Sequence, residues 1–177
     1  LASVYPAAPR ANATPLAHEA PPRITAHQLY ADRWMFHGPA YQGVVDLGAL
    51  GKDGIRGTLV SLAAKGGLLD NAGQLLGYWV MQNAAADRLA MPVLLERVRF
   101  YAPEPPPGER LECTARIREL DPSLVRADVE LSRAGRVWCR IEGWEDRRFD
   151  SDARVWNVLM FPEKNLLAEI GSHGVGV

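Results

Sequence analysis

The sequence predicts an α+β fold in which a curved antiparallel sheet wraps around one long central helix. Three observations carry this. Lys65–Asp87, KGGLLDNAGQLLGYWVMQNAAAD, sets Leu68, Leu69, Ala72, Leu75, Leu76, Trp79 and Val80 at helical spacing over more than one face, so this helix is expected to be buried nearly all round. Three consecutive stretches between Leu111 and Glu142 alternate apolar and polar residues with period two and are joined by short turns, the pattern of an antiparallel meander with one wet face. A hairpin precedes the helix and strands follow it, and a sheet of that extent can curl around a single apolar helix.

Taken in order, residues 1–23 carry prolines and alanines without hydrophobic periodicity and read either as a linker or as an extended arm lying on the fold. Thr25 is placed to cap a short helix, ITAHQLYADR, with Leu29 on its inner face. Gly38-Pro39 makes a turn, after which Tyr41, Gly43, Val45 and Leu47 form one face of a strand. The GKDG turn returns the chain through Ile55 to Leu62, closing a hairpin. After the helix, Met91-Pro92 leads into VLLERVRFYA, where Leu94, Val98 and Phe100 alternate with Arg97, Arg99 and Tyr101, and PEPPPG ends it. Leu111, Cys113, Ala115 and Ile117 then oppose Glu112, Thr114, Arg116 and Arg118. Asp121-Pro122 turns the chain, and Val125, Ala127, Val129 and Leu131 oppose Arg126, Asp128 and Glu130. After the turn at Arg133–Gly135, Val137, Cys139 and Ile141 oppose Trp138, Arg140 and Glu142. This arrangement is the hotdog fold, expected over residues 24–150. Residues 151–177 read as a tail or a linker to a next domain, with apolar residues in ARVWNVLMF able to pack on the sheet.

The chain has 177 residues, enough for one domain and some tail, with 47% hydrophobic and 23% charged residues, ordinary for a soluble globular protein. A net charge of -1 gives no reason to expect nucleic acid or an anionic membrane surface as partner. The apolar helix is interrupted by Asp70, Asn71, Gln74, Gln82 and Asn83, so it does not read as membrane-spanning. The Pro/Ala-rich N-terminus lacks the pattern of a secretory signal. A cytoplasmic location is expected, and a start at Leu1 in place of Met is expected of a piece of something longer. Cys113 and Cys139 show neither metal nor disulfide spacing and fall on the inward parity, as small buried hydrophobes do.

The chemistry concentrates at Asp70, the only carboxylate between Lys65 and Asp87. A carboxylate in a buried helix must be paired, protonated or used, because an isolated buried charge is very costly. Gln74 lies one turn on, on the same side. Gly73 and Gly77 each cost about 1 kcal/mol relative to Ala in a helix interior, which points to close backbone approach by another element. Burial favours the protonated form, as a general acid requires, while the helix N-terminus favours the anion. From the residues alone, Asp70 is either an active acid or a helix-start residue satisfying backbone N–H groups.

FHGPAYQG at Phe36–Gly43 resembles the YGPxF-type motif of type I polyketide synthase dehydratase domains. LLDNAGQ at Leu68–Gln74 resembles their HPxxxDxxxQ motif, and LERVRFYAP at Leu95–Pro103 resembles the strand that follows it. The likeness runs over roughly residues 25–150 in the same order. In that family two hotdog lobes lie in tandem, the first supplying a catalytic histidine from HxxxGxxxxP and the second an aspartate from its helix. This chain resembles the C-terminal, aspartate-bearing lobe, and none of His18, His27, His37 or His173 has the context of the first-lobe histidine.

The resemblance implies a dehydratase converting a (3R)-3-hydroxyacyl chain on an acyl carrier protein into a trans-2-enoyl thioester. Asp70 would be the acid and Gln74 would orient it. Substrate contacts would come from His37, in place of the motif tyrosine, from Pro39, from Tyr41, in place of the motif phenylalanine, and from Asn71. No metal or redox cofactor is implied, since the substrate rides on the phosphopantetheine of the carrier protein. Arg97 and Arg99 read as a phosphopantetheine contact or as a solvated strand face. The implied partners are the acyl carrier protein, the first hotdog lobe and other synthase domains. Lys65-Gly66 stands where the family has His-Pro, which leaves an inactive structural or docking lobe, or a product-template-like cyclase, as alternatives. A stand-alone hotdog thioesterase fits less well, because those build their site across a homodimer. A lobe on its own would expose apolar surface and is expected to self-associate as a homodimer through a sheet edge.

Overall fold

The computed structural model describes residues 5–84 and 89–149. A capping box starts the first helix: the Gln28 backbone N–H donates to the Thr25 hydroxyl, and the Thr25 N–H donates to the Gln28 side chain. This helix, α1 (Ala26–Ala31), buries Leu29, and a single 3-10 turn follows at Pro39–Tyr41. β1 (Val44–Gly51) and β2 (Gly54–Val60) form the hairpin, and α2 (Gly67–Asn83) is the long helix. After it come β3 (Leu89–Phe100), β4 (Arg110–Leu120), β5 (Leu124–Arg133) and β6 (Arg136–Phe149). All pairings are antiparallel, in the order β1-β2-β4-β5-β6-β3.

The sheet packs on α2 through Ile55 and Leu59 of β2, Leu111 and Cys113 of β4, Val129 and Leu131 of β5 and Ile141 of β6, all buried with Leu68, Leu75, Leu76 and Trp79 of the helix. The Trp79 indole N–H donates to the Gly51 carbonyl at 2.8 Å, tying the helix to the hairpin end. The meander has the expected inward parity, with Cys113 and Cys139 in the core and their thiols pushed well above the ordinary range by burial.

Three expectations need correction. The helix is not buried all round: Leu69, Asp70, Gly73 and Gly77 form a stripe along α2 that the sheet leaves partly open. Residues 85–88 lie outside the described residues. Of the face expected for the first strand, Gly43 and Leu47 are buried but Tyr41 and Val45 are not, and Val44 turns inward instead, because register shifts on either side of Asp46 break the alternation and Tyr41 belongs to the 3-10 turn. β3 begins at Leu89, earlier than expected, and is an edge strand, so Leu94 and Phe100 are exposed. That edge position is also what accommodates Pro92, which has no N–H for a ladder.

Residues 5–23 lie along the fold as an extended arm. Ala20 and Leu50 exchange both backbone hydrogen bonds, the Lys52 N–H donates to the Ala17 carbonyl, and the Val137 N–H donates to the Pro9 carbonyl. Leu16 of this segment is buried. Residues 151–177, with ARVWNVLMF and His173, lie outside the described residues.

Candidate active site

Asp70 sits in the first turn of α2, after Gly66 at a left-handed φ of 74°. Its position is set by a hydrogen-bonded network that joins four elements, α2, the 3-10 turn, α1 and β1. The Gln74 amide donates to Asp70 Oδ2 at 2.7 Å and to the Tyr41 carbonyl at 2.8 Å. The Tyr30 hydroxyl of α1 donates to Gln74 Oε1 at 2.9 Å and accepts from the Val44 N–H at 2.9 Å. Gln74 is thereby oriented with its N–H groups on acceptors and its oxygen on a donor. Burial, helped by the Asp70 charge and opposed by the Val44 hydrogen bond, pushes the Tyr30 phenol up to about 12, so it stays a donor.

Asp70 Oδ1 is left facing His37, whose Nε2 lies 3.6 Å away. The aspartate side chain is 35% exposed, which departs from the buried carboxyl expected from the helix pattern, because it belongs to the open stripe. The His37 ring stacks on Phe36 with centroids 4.5 Å apart. Burial lowers the His37 pKa, with the Asp70 charge opposing, so His37 favours the neutral imidazole. His37 Nδ1 is buried and has no hydrogen-bond partner among the described residues.

These groups line one end of a pocket of about 270 Å³ that follows the open stripe of α2. Leu69, Gly73, Gly77 and Met81 form its helical wall, Met35 and Phe36 one side, and Leu89–Pro92, Leu95 and Trp144 the other. The wall is apolar but for His37, Asp70, Gln74 and one more side chain, Asp146. Gly73 is where a helical wall needs no side chain: a Cβ there would lie 2.9 Å from Cζ2 of Trp144. The close approach that Gly73 implied is thus made by an indole from β6.

Trp144 and Asp146 reach the pocket through a bulge. Ile141 pairs with Val129 but Trp144 pairs with Ala127, so β6 spends one extra residue and its inward parity shifts from odd to even. Gly143 takes the bulge at φ 63°. Asp146 is 2% exposed, and its Oδ1 accepts from the Trp144 indole N–H at 2.6 Å. Burial raises its pKa to about 6, with the indole hydrogen bond opposing.

The remaining expected site residues fall elsewhere. Asn71 is fully buried and serves the scaffold: its Oδ1 accepts from the Gly43 N–H at 2.8 Å and its Nδ2 donates to the Gly67 carbonyl. Pro39 and Tyr41 form the exposed 3-10 turn outside the pocket wall, and only the Tyr41 carbonyl enters the network, through Gln74. Arg97 is exposed and pairs with Glu142. Among the described residues no three His, Cys, Asp or Glu side chains cluster as a metal site would require. No described helix is long and apolar enough to cross a membrane. Reading the sequence missed Tyr30, Trp144 and Asp146. Gly143 inside a strand pattern is the one local sign of the parity change that brings the last two inward.

A family described as the polyketide synthase dehydratase N-terminal domain matches residues 6–154. No curated protein matches the chain. Among solved structures, the dehydratase domain of a mycocerosic acid synthase-like polyketide synthase is similar at 23% identity and a TM-score of 0.60, over 86% of this chain and 58% of that one. A trans-AT polyketide synthase dehydratase domain from Brevibacillus brevis is similar at 16% identity and a TM-score of 0.61, over 82% and 55%. The dehydratase domain from the CurK module of the curacin polyketide synthase is similar at 20% identity and a TM-score of 0.56, over 73% and 48%. The chain therefore spans about half the length of these structures, and at such identities the likeness establishes the hotdog fold.

Proposed function

Since the chain belongs to the polyketide synthase dehydratase family, we propose that it is the aspartate-bearing, C-terminal lobe of a dehydratase that converts a (3R)-3-hydroxyacyl thioester into a trans-2-enoyl thioester. The observation that carries this reading is Asp70 on the open stripe of the central helix, held by Gln74 through Oδ2 and lining an apolar pocket with Oδ1 beside His37. The lobe assignment rests on that pair and not on the family match, whose description names an N-terminal domain.

The reaction needs a base at C2 and an acid at the C3 hydroxyl. Gln74 occupies Asp70 Oδ2, so Oδ1 is the oxygen that addresses the C3 hydroxyl. As a base takes the C2 proton, Oδ1–H donates to the departing hydroxyl, the C3–O bond breaks, and water leaves as the C2–C3 double bond forms. The base is the histidine of a companion lobe, and the substrate arrives on the phosphopantetheine of an acyl carrier protein. Neutral His37, 3.6 Å from Asp70 Oδ1, adds a polar contact for the same hydroxyl. Asp70→Asn in the intact protein is expected to lose roughly 10²–10⁴-fold in turnover of a 3-hydroxyacyl pantetheine thioester. Parent-like turnover would remove Asp70 from the mechanism.

One observation favours a second reading, an inactive docking lobe. Gly66 starts α2 at φ 74°, which a proline, fixed near −65°, cannot adopt. The helix start therefore differs in backbone as well as in sequence from one built on His-Pro. Absence of turnover by the intact parent protein, with assembly preserved, would support that reading.

A further inference from the structure

Asp146 takes no part in the mechanism above, yet it borders the same pocket as Asp70 and is the most buried of its polar lining groups. Trp144, which overlies Gly73, pairs with Leu95 of β3, and Asp146 pairs with Pro92. Two residues along a strand is roughly 6–7 Å. The direction is away from Asp70, because β6 runs on to pair Phe149 with Leu89, and Leu89 and Met81 line the far end of the pocket. Asp70 and Asp146 thus address different lengths of one bound chain.

A buried carboxyl with no ionic partner is unfavourable unless something offsets the desolvation. The Trp144 N–H satisfies Oδ1, and no other described residue hydrogen-bonds to the group. Apart from His37, Asp70 and Gln74, the other residues that line its pocket are apolar. The charged and titratable groups that share its pocket are Asp70 and His37. A purely aliphatic acyl chain would gain more from a leucine at this position. What a carboxylate there does better is accept a hydrogen bond.

We propose that Asp146 is a second polar subsite of the pocket, which accepts a hydrogen bond from a donor on the bound thioester, a hydroxyl on the acyl chain several carbons beyond the reacting C2–C3 pair. The inference rests on the dehydratase reading for the identity of the ligand. An amide N–H of the pantetheine arm offers the same donor chemistry if the thioester lies in the opposite direction.

The test uses the intact protein, its Asp146→Asn and Asp146→Leu variants, and pairs of 3-hydroxyacyl pantetheine thioesters with and without a second, distal hydroxyl. N-acetylcysteamine thioesters of the same chains omit part of the arm. The parent is expected to prefer the dihydroxy chain by at least about tenfold in kcat/KM. Asp146→Asn, which keeps an acceptor for Trp144 and for the chain, should retain part of that preference, and Asp146→Leu should abolish it. A preference that follows the pantetheine arm instead of the chain hydroxyl moves the donor to the arm and overturns the chain-hydroxyl assignment. A role limited to holding Trp144 would change all substrates alike. Binding of unreactive amide analogues of the same chains, measured by titration calorimetry, decides the subsite even if the parent shows no turnover. Equal affinity for both chains in the parent and in Asp146→Leu overturns the proposal, whereas discrimination without turnover overturns only the dehydratase reading.

Discussion

Asp70 and Asp146 are carboxyl groups on one pocket, held in opposite ways. Asp70 is partly exposed and oriented by an amide that is itself fixed by Tyr30 and Tyr41, whereas Asp146 is buried with a single indole donor. Gln74→Leu leaves the Tyr30 hydroxyl, the Tyr41 carbonyl and Asp70 Oδ2 without their partner. It is expected to cost about 2 kcal/mol or more, read as a lower urea midpoint, together with a loss of turnover through the unfixed carboxyl. For Asp146 the folded pKa of about 6 lies above an ordinary 3.8, so the fold holds a proton that the unfolded chain releases first. Its contribution to stability is complete below the unfolded value and is lost as pH rises through the folded one. Relative to Asp146→Asn, the parent is expected to lose up to about 3 kcal/mol of unfolding free energy between about pH 4 and pH 7, measured by urea titration across that range.

The helix α2 serves two purposes that conflict, and its glycines show where. One face fills the core while the other is cut back to make a pocket wall. At Gly77 a Cβ would lie 3.4 Å from the terminal methyl of Met35, a flexible neighbour. Gly77→Ala is therefore expected to gain up to about 1 kcal/mol in helix stability. At Gly73 the same Cβ would press on the buried Trp144 ring at 2.9 Å. Gly73→Ala is expected to lose stability, by roughly 1–3 kcal/mol net of the propensity gain, and to disturb the Asp146–Trp144 pair. Thermal melts of the two variants, one shifted up and one down, check this contrast. The strand β6 makes a comparable compromise at Gly143. Its positive φ and the Glu96 side chain both oppose a Cβ there, and the resulting bulge converts an outward aspartate into an inward one.

The two edges of the sheet are treated differently. The arm covers the end of β1, with Ala20 and Leu50 sharing backbone hydrogen bonds. The edge at β3 exposes Val93, Leu94, Leu95 and Phe100, of which Val93 is 53% exposed and Leu94 47%. An apolar open edge is a site for pairing with another sheet. The lobe alone is therefore expected to dimerise at micromolar concentration, and Leu94→Lys to shift it toward monomer. Light scattering on both forms is the check, and a clean monomer for the unsubstituted lobe would count against this edge as an interface.

The hotdog layout was legible because the apolar helix at 67–83 and the period-two strands β4 and β5 satisfy burial locally, so their patterns state which faces are covered. Asp70 and Gln74 were legible for a related reason, being polar residues one turn apart in a helix with no other charge. What composition and spacing could not reveal depends on departures from periodicity. The register shifts around Asp46 and the bulge at Gly143 each change which residues face inward, and a pattern of alternation carries no record of an inserted residue until the partner strand is known. Tyr30 reaches Gln74 across 44 positions of sequence. The extent of helix burial depends on a stripe that the sheet leaves open. Helix, sheet and helix-borne acid are written in local order along the chain. The pocket, its second carboxyl and the histidine beside the first arise only when separate strands and helices are brought against one another.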